Sequence, residues 1–231
     1  MKNTRIAAAI ALLAIPLAGC TVGSGEVVTE TRSVEGFHSI DLRGIGEVRI
    51  TVDGTESLTV EAEDNLIDQL TSEVRGNTLI LGTDRPIRPT EDVIFTVTMQ
   101  TLEGIEISGS GAVTVSEFST DGFEVDVSGS GSAAVTGIDA DDVFAGISGS
   151  GAITITGDAD SLDLSISGSG AFDGERLAVD VGDVEISGSG SATVNASERL
   201  DVVVSGSGNV EYLGNPSVSV NSSGSGSVSK R

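Results

Sequence analysis

The tetrapeptide Ser-Gly-Ser-Gly begins at Ser108, Ser128, Ser148, Ser167, Ser187, Ser205 and Ser223, at intervals of 20, 20, 19, 20, 18 and 18 residues. Seven copies at near-constant spacing require repeated units, each burying its apolar face only against its neighbours. The flanks are patterned too. One residue before the first Ser lie Ile107, Val127, Ile147, Ile166, Ile186 and Val204; three before lie Ile105, Val125, Ala145, Leu164, Val184, Val202 and Val220. Five after come Val113, Ala133, Ile153, Phe172, Ala192, Val210 and Val228, and seven after come Val115, Val135, Ile155, Val194 and Tyr212. Every apolar column falls on an odd offset, which is the period of a strand with odd positions inward.

Both glycines of the tetrapeptide also occupy odd offsets, at Gly109 and Gly111 and again at Gly129, Gly149, Gly168, Gly188 and Gly206. The inward side chain there is a hydrogen, so the coil narrows or bends, as glycine permits. These features predict an all-β, right-handed parallel β-helix with about 18–20 residues per coil. The serines at even offsets, Ser108 and Ser110 and their equivalents, then form outward columns with rungs about 4.8 Å apart.

Arg43-Gly44-Ile45-Gly46 repeats the pattern in degenerate form, with Ile40, Leu42, Val48 and Ile50 at the same inward offsets. Between it and the regular array the sequence predicts strands over 58–63, 78–82 and 93–100 and a turn at Gly76-Asn77. A short helix is expected over 64–74, capped by Asp64, with Leu66, Ile67, Leu70 and Val74 as its apolar side. Such an insertion would cap the open edge of a solenoid.

Residues 1–19 have the order of a secretory signal: basic Lys2 and Arg5, an apolar run over 6–17, then small Ala18 and Gly19. Leu17-Ala18-Gly19-Cys20 resembles the lipobox of bacterial lipoproteins. That resemblance implies acylation of Cys20, which anchors the protein to a membrane, and Thr21 at the next position implies the outer membrane. The expected organisation is a signal at 1–19, a lipidated Cys20 and flexible tether over 20–36, and a β-helix domain over 37–231. Within that domain, 37–107 hold the atypical coils and cap and 108–231 the regular coils.

From Cys20 onward the chain carries ten Lys and Arg against 35 Asp and Glu, a net charge of −25. That excess argues against nucleic acid as a partner, which would need basic patches against phosphate. One cysteine allows no internal disulfide. His38 is the sole histidine and reads as an ordinary strand residue.

The opening Val34-Glu35-Gly36-Phe37-His38-Ser39-Ile40, the stretch from Leu58 to Ile67, the Asn77-Thr78-Leu79-Ile80 strand and the tetrapeptide coils together resemble the bacterial GIN domain. That family is described as an auto-transporter adhesin head. The resemblance covers Phe37 to Ser229. It implies a right-handed β-helix, commonly behind a lipoprotein or secretory signal, and offers no catalytic residues to carry over.

Asp121, Asp139, Asp141, Asp142, Asp158 and Asp160 fall in the loops of successive coils, where register would bring them together. Hard cations such as calcium take several oxygen ligands at about 2.3–2.6 Å, so these six are the candidate cation cluster, although a solvated acidic surface explains them as well. Asp163, Asp183 and Asp201 form one outward column. Like charges 4.8 Å apart in water repel by about 0.9 kcal/mol, so stability should rise with salt or divalent cation. The reading is a non-catalytic, lipid-anchored envelope module that displays Ser/Thr and acidic faces to a glycan or protein. It needs no cofactor, and its C-terminal edge is a route to a homo-oligomer. The alternatives are a carbohydrate-active enzyme on the same scaffold or a purely structural envelope protein. A cleft gathering two carboxylates with an arginine would favour the enzyme.

Overall fold

The computed structural model describes residues 20–231, and the expected signal segment lies outside the described residues. The chain is a parallel β-solenoid of about six turns. Five coils are each one nearly continuous strand: Ala112–Gly129, Ser132–Gly149, Ala152–Gly168, Ala171–Gly188 and Ser191–Gly206. Only the second Ser-Gly of each tetrapeptide interrupts them. The first serines stack in one unbroken register from Arg43 through Ser108, Ser128, Ser148, Ser167, Ser187 and Ser205 to Ser223.

The two glycines are required for different reasons. The first sits at positive φ, between +118° and +129° from Gly109 through Gly224, and an added Cβ at Gly129 would lie 2.6 Å from the Gly109 carbonyl oxygen. The second, such as Gly131, lacks room instead: its Cβ would meet the Gly111 oxygen and Ile107 Cγ2, both at 2.7 Å. The isoleucine of one coil thus fills the space that glycine leaves in the next. A backbone ladder closes the corner, with Ser130, Ser150, Ser169, Ser189 and Ser207 N–H donating to the first-glycine carbonyls one coil back at 2.7–2.8 Å.

Coil-length variation is absorbed at a second bend. There the register slips between Thr136 and Ile138, between Thr154 and Gly157, and around Gly174–Ala178 and Val179–Val181. The tetrapeptide corner stays aligned while the interval falls from 20 to 18. The odd-offset columns are buried as far as Val210, beyond which Tyr212 and Val228 are partly buried and Val220 is exposed, and Phe172 occupies the volume that Gly174 leaves empty.

At the N-terminal end the parallel ladder stops against antiparallel strands. Leu70–Arg75 pairs antiparallel with Thr78–Thr83, and Ser57–Glu63 pairs antiparallel with Ile94–Met99 on one side and Val27–Arg32 on the other. The cap is therefore a strand device. The helix expected over 64–74 is a single 3-10 turn, Ile67–Gln69, followed by a strand, and Asp64 caps nothing. Leu70 and Val74 lie four apart, a spacing common to a helix face and a strand face, and pairing with Thr78–Thr83 decides it. The flexible tether also needs correction. Thr21–Val22 pairs with Ile87–Arg88 and Val27–Arg32 adds to the cap sheet, because their β-branched residues find partner strands 26 or more residues away.

Glu63 locks this end. Its carboxylate is 1% exposed and accepts the Gly25 N–H at 2.7 Å, the Thr90 N–H at 2.9 Å and the Thr90 hydroxyl at 2.6 Å. The hydroxyl bond, with the Thr90, Gly25 and Glu91 amides, lowers its pKa against the opposing effect of burial. A depressed carboxylate contributes stability above its unfolded value near 4.5, and that contribution is lost as pH falls through the lower folded value. Hydrogen exchange at the Gly25 and Thr90 amides should therefore accelerate below about pH 4.5 before exchange at the central corners does. Simultaneous loss of protection at both would contradict this.

Candidate functional site

The solenoid has no deep cleft among the described residues, so its chemistry lies on outward faces set by the register. At the corner, the first serines from Ser128 to Ser205 and the second serines Ser110, Ser130, Ser150 and Ser169 are exposed in two parallel columns. Beyond it, Ala112, Ser132, Ala152, Ala171 and Ser191 stack, and beside them run Thr114, Ala134, Thr154, Asp173 and Thr193. That face is flat, small and rich in hydroxyls.

The strand segment before the corner carries the acids. One outward column runs Ser39, Gly104, Glu124, Phe144, Asp163, Asp183, Asp201, and its neighbour runs Asp41, Glu106, Asp126, Gly146, Ser165, Glu185, Val203. Each end of this face supplies its own cations. Arg43 bonds Asp41 through Nε at 2.8 Å, and the carboxylate bond and charge of Asp41 raise the Arg43 pKa. Arg199 reaches Asp201 at 3.0 Å and Asp183 at 3.6 Å. The predicted Asp163–Asp183–Asp201 column therefore exists in register, and one arginine offsets part of its repulsion. Molar salt should still raise the melting temperature, because the remaining acids of the face repel over distances comparable with the Debye length. A melting temperature flat from low to molar salt would contradict this.

The six aspartates of the cation cluster divide. Asp139 stacks on Asp158, and these share a shallow depression with Asp160, Asp180 and Ser197. Asp121, Asp141 and Asp142 are not part of it; Asp142 accepts a hydrogen bond from the Ser161 hydroxyl at 2.6 Å. Among the described residues no three His, Cys, Asp or Glu side chains gather closely enough to hold a metal ion. Register stacks Asp139 on Asp158, and the remaining acids of the six are spread over neighbouring positions of the bend.

A depression over the cap hairpin is lined by Arg43, Glu73, Arg75 and Asp84, the two-carboxylate-with-arginine composition set out above. Glu73 is already paired with Arg75, and both side chains are more than half exposed. His38 is half-buried, with Nδ1 3.6 Å from Glu103. Cys20 is exposed and followed directly by the strand Thr21–Val22.

Two features escaped the sequence reading. Glu63 is one. The other is Phe144, 49% exposed in the middle of the acidic face while the other five phenylalanines are buried. The signal was present, since Phe144 stands at an even, outward offset.

A family model described as "Putative auto-transporter adhesin, head GIN domain" matches residues 36–216. Among solved structures, a "putative adhesin" from Bacteroides fragilis superposes with a TM-score of 0.86 at 26% identity, covering 91% of this chain and 99% of that one. A "putative lipid binding protein" from Parabacteroides distasonis superposes with a TM-score of 0.76 at 23% identity, covering 92% and 100%. A "putative adhesin" from Parabacteroides merdae gives 0.73 at 21%, covering 91% and 98%; these last two likenesses concern the fold alone. The search of curated proteins found no match.

Proposed function

This chain belongs to the auto-transporter adhesin head GIN domain family, and from that premise we propose that it is a non-catalytic binding module held on the bacterial outer membrane by an acylated Cys20. The observation that carries this reading is the register: one backbone repeat sets exposed serine columns along the rod and an acidic face from Asp41 to Asp201. A long surface of repeated small contacts suits an extended ligand, a glycan chain or a protein, better than a small substrate. With Thr21–Val22 and Val27–Arg32 folded into the cap, the anchor leaves no slack and the rod stands directly on its N-terminal end.

The last strands are thinly covered: Val220 is 49% exposed, and Val218 and Val228 are only partly buried. No acid follows Glu211, so this end alone lacks the charge that would repel a second copy. End-to-end pairing of two protomers through the Ser217–Gly224 and Ser227–Lys230 strands is part of the proposal. Light scattering at high concentration should give a doubled mass that Val220→Glu returns to the monomer; a strictly monomeric profile overturns the pairing.

Anchoring is tested by mass spectrometry of the purified protein and by cell fractionation. The reading expects a diacylglyceryl-type mass addition on Cys20 and release of Cys20→Ser from the membrane fraction. An unmodified Cys20 in membrane-free protein would overturn it.

A further inference from the structure

Phe144 lies between Glu124 on the preceding coil and Asp163 on the following one, in a single outward column whose rungs are about 4.8 Å apart. These residues line one shallow depression with Asp126, Gly146 and Ser165. Gly146 keeps the flank of the ring low, and the Asp126 carboxylate leans across it into the space where a Cβ would stand. An exposed ring among carboxylates is costly for a solitary surface: the ring loses nothing by being covered, and the acids repel one another.

The ion pairs of this face lie towards its ends. Asp41 has Arg43, and Asp183 and Asp201 share Arg199, but Glu124, Asp126 and Asp163 around the ring, like Glu106 and Glu185 beside them, form no ion pair among the described residues. Arg199 also shows what the column accepts, a guanidinium straddling carboxylates on adjacent rungs. Where the column would place the next such pair, it places an aromatic ring instead. A guanidinium stacks flat on such a ring while donating to a carboxylate at its edge, a combination that a compact ammonium reproduces less well.

We propose that Phe144, Glu124, Asp126 and Asp163 form a recognition site for an arginine side chain presented by a partner polypeptide. The proposal rests on the reading of the protein as a binding module and names the partner's chemistry at one place on it. The guanidinium would lie over the ring of Phe144, with Asp163 or Glu124 accepting its N–H groups and Asp126 adding field from the side. The hydroxyl-rich corner is not involved.

The test is fluorescence anisotropy of the intact protein with a labelled Gly-Arg-Gly-Arg-Gly peptide at 150 mM salt, against the same peptide with citrulline for arginine. Saturable binding of the arginine peptide is expected, with the citrulline peptide at least tenfold weaker. Phe144→Leu, which keeps the position apolar but removes the ring face, should weaken binding about fivefold with an unchanged melting temperature, and Glu124→Gln or Asp163→Asn about threefold. The charge-matched control Asp139→Asn, which removes one carboxylate as each acidic site variant does, should stay within twofold. The proposal is overturned if Phe144→Leu binds like the parent, if the control loses as much as the site variants, or if a neutral oligosaccharide and not the peptide depends on Phe144. Saturable binding of an envelope polymer that survives in all these variants would overturn this site while leaving the binding-module reading intact.

Discussion

Gly168→Ala is expected to lower stability by about 3–5 kcal/mol, whereas Ser167→Ala beside it should change stability by less than about 0.5 kcal/mol. Gly168 holds φ at +122°, where a side chain costs about 1–3 kcal/mol in strain. The added Cβ would also lie 2.5 Å from the Gly149 carbonyl oxygen. That oxygen accepts the Ser169 N–H at 2.8 Å, so moving it breaks the corner ladder, and backbone has no rotamer with which to yield. Overpacking of this kind adds about 1–3 kcal/mol. Ser167 points to solvent and its loss removes no buried contact. Thermal melts of the two variants measure the difference, expected to be 10 °C or so for a chain of this size. Equal melting temperatures would mean that the corner is not under the constraint described.

Ile166→Ala should cost about 2–5 kcal/mol, and Ser165→Ala next to it almost nothing. Ile166 is 1% exposed, stacked between Ile147 and Ile186, and its Cγ2 occupies the place where Gly190 has no side chain. Truncation opens a cavity walled by main chain on one side, since the Gly190 strand is fixed by the Ser189 and Ser191 ladder bonds at 2.7 and 3.0 Å. The site therefore collapses poorly and the upper part of the range applies. Ile166→Val should fall to about 0.5–1.5 kcal/mol, and denaturant unfolding of the pair gives the ratio. A cost under about 1 kcal/mol for alanine would show that the column is not tightly packed.

The regular coils were legible because everything that makes them is local and repeated. Ile107, Gly109, Gly111 and Val113 state the alternation and the corner within seven residues, and six further copies fix the stacking partner of each. The cap was less legible, because its structure depends on pairs distant in sequence. Leu70 and Val74 fit either period, and 21–32 became strand only through Ser57–Glu63, Ile87–Arg88 and the buried carboxylate of Glu63. The acidic cluster shows the opposite limit: the register of Asp139 on Asp158 was readable, but which of the other acids share a depression with them was not. Phe144 was visible as an outward aromatic, yet its meaning depends on Arg43 pairing with Asp41 and Arg199 with Asp183 and Asp201, which leaves the acids around the ring without a cation.

The central claim, a binding module that performs no chemistry, is tested most directly by presenting the protein with arrayed glycans and envelope polymers, with and without calcium, while monitoring product release in the same wells. Saturable binding without turnover is the predicted result. Turnover of any arrayed polymer, with reducing ends or fragments released, would contradict the claim and point to the Glu73–Asp84 depression as the place to look for an acid pair.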